Sequence, residues 1–293
     1  MAKIGFDIGG TNIAAGFVTD DGVLQRKGSL PFPQDKDFDK VLATCEQLVN
    51  ILSEGEEEPV TSIGVAVPGS LDATASVVLN AYNLGFDHTP LKKILEDRLH
   101  KPVYLVNDAD AAVLAENKIG SLRGCMTAVM VTLGTGLGGG LILNGRLFRG
   151  GRGNGSEPGH MILVNGGRPC TCGNAGCAES YCAATRLAKD GKVYGWNNAK
   201  AVIDAAKAGD EFAIAIVNAF IDDLGSYLAS LINLLDPEKI AIGGGVSGAG
   251  DFIMNPLREN IKQKTFFDDI AEIVVATAGN DAGIYGAAFV AEN

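Results

Sequence analysis

One pattern recurs in this chain and restricts what it can fold into: an apolar strand that runs into a glycine turn and returns as a second strand. Lys3-Ile4-Gly5-Phe6-Asp7-Ile8-Gly9-Gly10-Thr11 is followed by Ala14-Ala15-Gly16-Phe17-Val18. Much later, Ala128-Val129-Met130-Val131-Thr132-Leu133-Gly134-Thr135-Gly136 is followed by Leu141-Ile142-Leu143 and the hairpin turn Asn144-Gly145. With the two blocks aligned, Asp7 stands opposite Thr132. A pattern written twice predicts a duplicated architecture, because each copy must bury its apolar strands in the same way.

The rest of the chain alternates strands with helices, which predicts an α/β fold. Residues 38–52 place Phe38, Val41, Leu42, Cys45, Leu48, Val49 and Leu52 on one helical face. A short buried strand at 63–67 ends in Pro68-Gly69. Thr89-Pro90 predicts an N-cap followed by proline at the first helical position, opening a helix with Leu91, Ile94, Leu95 and Leu99 inward. A strand at 103–106 ends at Asn107-Asp108, before a helix rich in Ala and Leu. The longest helix is expected at 211–235, with Phe212, Ile216, Phe220, Leu224, Leu228, Leu231 and Leu235 inward and Asp236-Pro237 as its stop. Lys239-Ile240-Ala241-Ile242-Gly243-Gly244-Gly245 is again a strand running into glycines. A strand at 273–276 and a helix at 281–291 close the pattern.

Composition narrows the function. At 293 residues, with 46% hydrophobic and 20% charged, the chain can bury a sizeable core without help from disulfides. Lys+Arg number 24 against Asp+Glu 35, a net charge of −11, which argues against a nucleic-acid partner. The uncharged stretch 124–145 has the length of a membrane span, but its central glycines read better as a turn between two strands. No secretory signal is legible at the start, so a cytoplasmic protein with no membrane contact is expected. Of the six cysteines, Cys170, Cys172, Cys177 and Cys182 fall within thirteen residues. Without a secretory signal, such clustering reads as a metal site rather than as disulfides.

Several residues can carry chemistry. A glycine turn such as Gly9-Gly10-Thr11, continuing to Asn12, lets backbone N–H groups approach a phosphate closely, and Gly134-Thr135-Gly136 can do the same. Each alone reads equally as a plain hairpin. Together with Gly243-Gly244-Gly245 they suit a nucleotide with a polyphosphate tail. Asp7 beside the first turn is either a turn cap or a carboxylate for Mg²⁺. Asp108 after the strand at 103–106 is either a helix cap or a general base for a sugar hydroxyl. His160, Cys170, Cys172 and Cys177 have the ligand types of a closed tetrahedral Zn²⁺ site, whose role is structural because no position stays open. Cys182 lies outside that cluster and reads as helix packing. Glu157 and Glu179 flank the cluster, as surface carboxylates or as groups oriented toward a polyhydroxylated ligand.

These segments resemble the ROK family (repressors, open reading frames and sugar kinases), within the sugar kinase/Hsp70/actin superfamily. The matching stretches are Asp7-Ile8-Gly9-Gly10-Thr11, Asn107-Asp108-Ala109, Leu133-Gly134-Thr135-Gly136-Leu137-Gly138-Gly139-Gly140 and Glu157-Pro158-Gly159-His160. They continue with the run from Cys170 to Glu179 and with Ile242-Gly243-Gly244-Gly245-Val246. The resemblance implies a duplicated actin-like, ribonuclease H-like α/β fold of two domains around a central cleft. The domains are expected at 1–112 plus 279–293, and at 113–278 with the zinc-binding insertion. It further implies ATP-dependent phosphorylation of a hexose at its 6-hydroxyl, with ATP, Mg²⁺ and structural Zn²⁺ as cofactors. Asp108 matches the catalytic base; Asn107, Glu157, His160 and Glu179 match sugar contacts. Two positions depart from the family pattern: Val106 precedes Asn107 where Glu is usual, and Asp110 stands where Asn is common. The motif spelling, including Gly279-Asn280-Asp281-Ala282-Gly283, is most like the glucose-phosphorylating branch. N-acetylmannosamine, N-acetylglucosamine and fructose kinases are the alternatives, and a sugar-binding regulator without DNA contact is the alternative of another class. A homodimer or homotetramer is expected. The first glycine turn lies within ten residues of Met1, so the DNA-binding module of the family's repressors is not expected.

Overall fold

The computed structural model describes residues 2–55, 58–153 and 155–293. In chain order the strands are β1 (Ala2–Ile8), β2 (Asn12–Thr19), β3 (Leu24–Pro31), β4 (Val60–Val67), β5 (Ser70–Leu71), β6 (Val78–Ala81), β7 (Phe86–Thr89), β8 (Val103–Asn107), β9 (Ala128–Leu133), β10 (Leu137–Leu143), β11 (Arg146–Leu147), β12 (Lys239–Gly243) and β13 (Glu272–Val275). The helices are α1 (Phe38–Ser53), α2 (Leu91–Leu99), α3 (Asp108–Ile119), α4 (Glu179–Cys182), α5 (Ala184–Gly191), α6 (Ala199–Lys207), α7 (Glu211–Leu235), α8 (Asp251–Lys262) and α9 (Ala282–Phe289). The chain packs as two compact units. One comprises Met1–Gly124, Gly145–Ser156 and Thr277–Asn293, and the other Cys125–Asn144 and Glu157–Ala276.

The two units repeat one strand order. In the first unit the sheet runs β3-β2-β1-β4-β8, with β2 antiparallel to β1 and with β4 and β8 parallel to it and to each other. In the second, the strands lie β10-β9-β12-β13, again a hairpin pair followed by two parallel strands. Asp7 pairs with Ala14 and Ala66, and Thr132 pairs with Gly138 and Gly243. Both residues sit one position before the end of the strand that the hairpin and the parallel strand share. The duplication read from the sequence is therefore present in the hydrogen-bond register.

Each unit has its own core. In the first, Ile4, Phe6, Phe17, Leu48 and Ile63 pack together, and α1 contributes Val41, Leu42, Cys45, Leu48 and Leu52. Asp37 caps α1 by accepting the N–H groups of Asp39 and Lys40. In the second, Val129, Leu224, Leu228, Ile240 and Leu257 are among the core residues. The uncharged stretch 124–145 is the hairpin β9–β10, as its glycines required. Helix α7 is long and apolar enough by count to cross a membrane, yet half of its apolar window is buried in the protein.

Local expectations differ from the structure in two places. Thr89 ends β7, where its hydroxyl donates to the Asp87 carbonyl, and Pro90 itself takes the N-cap position of α2. The strand β6–β7 pairing holds Thr89 extended opposite Val78, so its side chain is not available as a cap. Phe212 does not enter the core. It stacks on Tyr194 with ring centroids 4.9 Å apart and stays 59% exposed, because in the first turn of α7 it is the neighbouring Ala213 that faces the core.

Helix α9 lies close to the first sheet. A Cβ on Gly5 would come within 1.9 Å of the Ile284 carbonyl oxygen, and one on Gly64 within 1.7 Å of that of Ala287. Gly286 meets α3 equally closely, 1.8 Å from the Ala111 carbonyl oxygen. The segment entering α9 is tied down by Glu116, which is fully buried on α3. One oxygen of Glu116 accepts the backbone N–H groups of Thr277 at 2.7 Å and Ala278 at 2.6 Å. The other accepts the N–H and the hydroxyl of Ser121 at 2.7 and 2.8 Å. Replacing Glu116 by Gln turns one acceptor into a donor that faces other donors. We expect Glu116→Gln to lower stability by about 3 kcal/mol, the usual cost of breaking a buried, charge-assisted network. A urea midpoint equal to that of the parent would contradict this.

Candidate active site

In the first unit the chemistry gathers at the ends of parallel strands. Asn107 ends β8 and caps α3, its side-chain oxygen accepting the Ala109 N–H at 2.8 Å. Its amide group donates to the Gly69 carbonyl at 2.7 Å, which fixes the side chain between the helix and the turn after β4. The helix cap is therefore Asn107, and Asp108, the first residue of α3, is left to other work. Asp108 is exposed to solvent on one side and crowded by protein on the others. That crowding pushes its carboxyl above the usual range, while the Ala109 N–H at 2.9 Å partly opposes the shift. Asp7 is raised too, first by burial and then by the charge of Asp108. The structure thus brings Asp7, Asn107 and Asp108 together.

The turn Gly9-Gly10-Thr11 connects β1 to β2. Its backbone is held by Gly9 N–H donating to the Asn12 carbonyl at 2.9 Å and by Phe32 N–H donating to the Thr11 carbonyl at 2.8 Å. Gly10, Thr11 and Asn12 are exposed. Asp110, the departure from the family pattern, points inward and is 8% exposed. A Cβ on Gly155 would lie 2.9 Å from its carboxylate.

In the second unit, Gly134-Thr135-Gly136 is the β9–β10 turn, closed by Gly134 N–H donating to the Gly136 carbonyl at 3.0 Å. Gly243-Gly244-Gly245 follows β12. Gly244 has φ +83°, and a Cβ there would sit 2.4 Å from the Leu133 carbonyl oxygen, so the two glycine turns lie side by side. Both open onto a cavity of about 900 Å³. Thr135 and Gly245 line it together with Ala184, Thr185, Asn198 and Ile203. Asn198 is fixed there as the cap of α6, accepting the Ala201 N–H at 2.8 Å. The size and largely apolar walls suit a nucleoside.

The cysteine cluster assembles as its spacing suggested. One ligand atom from each of His160, Cys170, Cys172 and Cys177 lies within 4.8 Å of all the others. The Cys170 sulfur is 3.7 Å from His160 Nδ1, and the Cys172 and Cys177 sulfurs are 3.6 Å apart. A tetrahedron with metal–sulfur bonds of about 2.3 Å has edges of roughly 3.8 Å, so the donor set fits a tetrahedral cation. All six cysteines are free thiols, and Cys182 is buried in the helical core. The backbone N–H of Asn174 lowers the Cys172 thiol, whereas burial pushes Cys177 up to about 12. With Nδ1 turned to the cluster, His160 keeps Nε2 for another partner.

Glu157 is exposed and precedes the turn Pro158–His160, which packs against β10 through Gly159. Glu179 opens α4, and its carboxylate accepts the Leu137 N–H at 3.1 Å and the Thr171 hydroxyl at 3.3 Å. Sequence reasoning missed two groups of residues. Ser70 accepts a hydrogen bond from Asn80 at 2.7 Å beside the Gly69 carbonyl that holds Asn107. Thr185 and Ile203 line the cavity from α5 and α6 and Asn198 from the cap of α6, where the sequence signals core packing and a helix start rather than a ligand. No local signal marks either group.

A model of the ROK family matches residues 3–293 of this chain. The glucokinase of Halalkalibacterium halodurans is 36% identical over 306 residues, covering 97% of this chain and 92% of that protein. The glucokinase of Thermotoga maritima is 35% identical over 309 residues, covering 99% and 97%. Among solved structures, the ROK family glucokinase of Streptomyces griseus in complex with glucose and AMPPNP aligns with a TM-score of 0.80 at 32% identity, over 98% of both chains. Strand order, glycine turns and end-to-end similarity agree: the chain belongs to the ROK family and has its duplicated actin-like α/β fold.

Proposed function

We propose that this protein is an ATP-dependent hexose kinase that phosphorylates glucose at the 6-hydroxyl. The observation that carries the reading is the alignment over 98% of both chains with the glucose- and AMPPNP-bound enzyme of Streptomyces griseus. The two units serve as the two domains of the kinase. Asp108 accepts the proton of the 6-hydroxyl as its oxygen attacks the γ-phosphorus and the bond to ADP breaks. Its raised carboxyl makes it a better proton acceptor than an ordinary carboxylate. Asn107, Glu157, His160 and Glu179 bind the sugar hydroxyls. Backbone N–H groups of the turns at Gly9-Gly10-Thr11-Asn12, Gly134-Thr135-Gly136 and Gly243-Gly244-Gly245 receive the phosphates, and the 900 Å³ cavity receives the nucleoside.

Asp7 is the residue placed to hold Mg²⁺, directly or through water. Its carboxylate is crowded by that of Asp108, a repulsion that a divalent cation relieves. Mg²⁺ neutralises charge on the transferring phosphate when bound. His160, Cys170, Cys172 and Cys177 hold one structural Zn²⁺. Free thiols throughout suit a reducing cytoplasm. Phe266, 86% exposed, and Leu234, 71% exposed, offer apolar surface for the homodimer or homotetramer. A hexose and N-acetylhexosamine panel, scored by ADP release, tests the substrate: turnover with glucose foremost is expected, and preference for an N-acetylhexosamine would overturn that choice.

Asp108→Asn keeps the shape and removes the proton acceptor. We expect kcat to fall by about 10²–10⁴ with glucose still bound. Because the folded carboxyl is raised, its ionised form costs stability once pH passes through the ordinary carboxylate range and up to the raised value. The neutral variant should therefore have a Tm equal to or above the parent's at pH 7. For the parent, kcat/KM should decline with acid from a pH above the ordinary carboxylate range. Parent-like turnover in the variant would remove Asp108 from the mechanism.

Cys172→Ser should bind less metal and lose hexose affinity, yet keep most of its secondary structure and some ATP binding. Elemental analysis of the parent should find about one zinc per chain, since four ligands make one tetrahedral site. Full activity in metal-free protein would refute the zinc assignment.

A further inference from the structure

Glu179 touches two parts of the second unit that are far apart in sequence. Its Oε2 accepts the Leu137 N–H at 3.1 Å, and a Cβ on Gly136 would lie 2.4 Å from the same oxygen. The carboxylate therefore fills the space behind the Gly134–Gly136 turn. Its Oε1 accepts the hydroxyl of Thr171, the residue between the ligands Cys170 and Cys172, and the Cys170 sulfur is 3.5 Å away. We propose that Glu179 is a positioning residue that ties the glycine turn to the metal loop, so that metal occupancy sets nucleotide affinity. The inference rests on the reading of that turn as a phosphate site and of the cluster as a zinc site.

The surrounding contacts make the tie firm at both ends. On the metal side, the Ser180 hydroxyl donates to the Pro169 carbonyl at 3.0 Å, and the Arg168 N–H donates to the Tyr181 hydroxyl at 2.8 Å. The Arg168 guanidinium lies 4.5 Å over the Tyr181 ring. On the other side, the Ala184 N–H donates to the Gly134 carbonyl at 2.9 Å, and the Thr185 hydroxyl donates to that of Thr135 at 2.8 Å. The metal loop has no helix or extended strand of its own and is closed locally by two isolated bridges, Ile162 with Cys177 and Pro169 with Ala175, and by turn bonds such as the Cys170 N–H to the Asn174 carbonyl at 2.8 Å. A cation on the four ligands adds the cross-link that fixes Cys170 and Cys172 against His160 and Cys177. Without the cation, Thr171 and Cys170 are held less firmly, and of the three groups around the Glu179 carboxylate only the Leu137 N–H stays fixed. A loosely held carboxylate beside a phosphate turn both repels the phosphates and stops fixing the Leu137 N–H. Preorganisation of the turn is lost.

The test is AMPPNP affinity measured calorimetrically without sugar, on zinc-loaded and chelator-stripped protein. Parent, Glu179→Gln and Thr171→Val are compared, with zinc content by elemental analysis and far-UV circular dichroism as the check of folding. Stripping the parent should weaken AMPPNP binding by about fivefold or more, the lower end of ordinary coupling between sites. Loaded Glu179→Gln should bind as weakly as the stripped parent and change little on stripping. Thr171→Val, which keeps all four ligands, should retain its zinc and still bind AMPPNP more weakly than the loaded parent. Equal AMPPNP affinity in loaded and stripped parent would overturn the coupling and leave the proposed function standing. Equal weakening of the parent and Glu179→Gln on stripping would remove Glu179 from it. Failure of the loaded parent to bind AMPPNP at all would overturn the proposed function and the coupling together.

Discussion

Helix α9 can lie against β1, β4 and α3 only because Gly5, Gly64 and Gly286 have no side chain. At each of these positions a Cβ would meet a backbone carbonyl oxygen at less than 2 Å, and backbone cannot step aside as a side-chain tip can. The contact has a direct consequence for chemistry. Gly283 at the start of the same helix comes so close to Asp7 that a Cβ would be 2.5 Å from its carboxylate. Glu116 fixes the approach of the chain to that helix, and Asp281 adds a surface pair with Lys27 at 3.0 Å. The position of Asp7 thus depends on residues nearly the whole length of the chain away.

The two raised carboxylates in the first unit run against stability. Burial disfavours the charge of Asp7, and the charge of Asp108 adds to it. Asp108 sits at the first turn of α3, where the N-terminal N–H groups favour an anion, so the helix compensates in part for the crowding. Asn107 performs the capping that Asp108 would otherwise be drawn into. This division of labour between adjacent residues leaves a carboxylate open to solvent, close to a second one, and free of a cap role. The proposed reaction uses this group as its proton acceptor.

The second unit solves a different problem. Its 161–178 segment contributes almost no regular structure; backbone turn bonds close it locally, and the side chains of His160, Cys170, Cys172 and Cys177 converge on one point. Around that point Glu179, Ser180 and Tyr181 make contacts back to residues 168–171, and Ala184 and Thr185 hold the glycine turn. A short stretch of chain therefore joins the ligand cluster to the turn that faces the cavity.

Much of this was legible in the sequence because the signals are local. Strand–glycine–strand repeats, the buried face of α1, the stop of α7, and the spacing of one His and three Cys follow from turn chemistry, periodicity and ligand type, which act over a few residues. The two errors have the same origin in reverse. Thr89 reads as a cap until a strand partner claims it, and Phe212 fits the helical stripe but lies on the outer side of its turn, where Ala213 takes the core position. What only the tertiary structure decided are contacts between residues distant along the chain. The Asn107 tether to Gly69, the donors around Glu116, the walls of the 900 Å³ cavity and the reach of Glu179 to Leu137 are of this kind. Each joins groups that no short-range rule connects, because a hydrogen bond or a wall is set by where folded backbone segments meet, and composition and periodicity carry no record of that meeting.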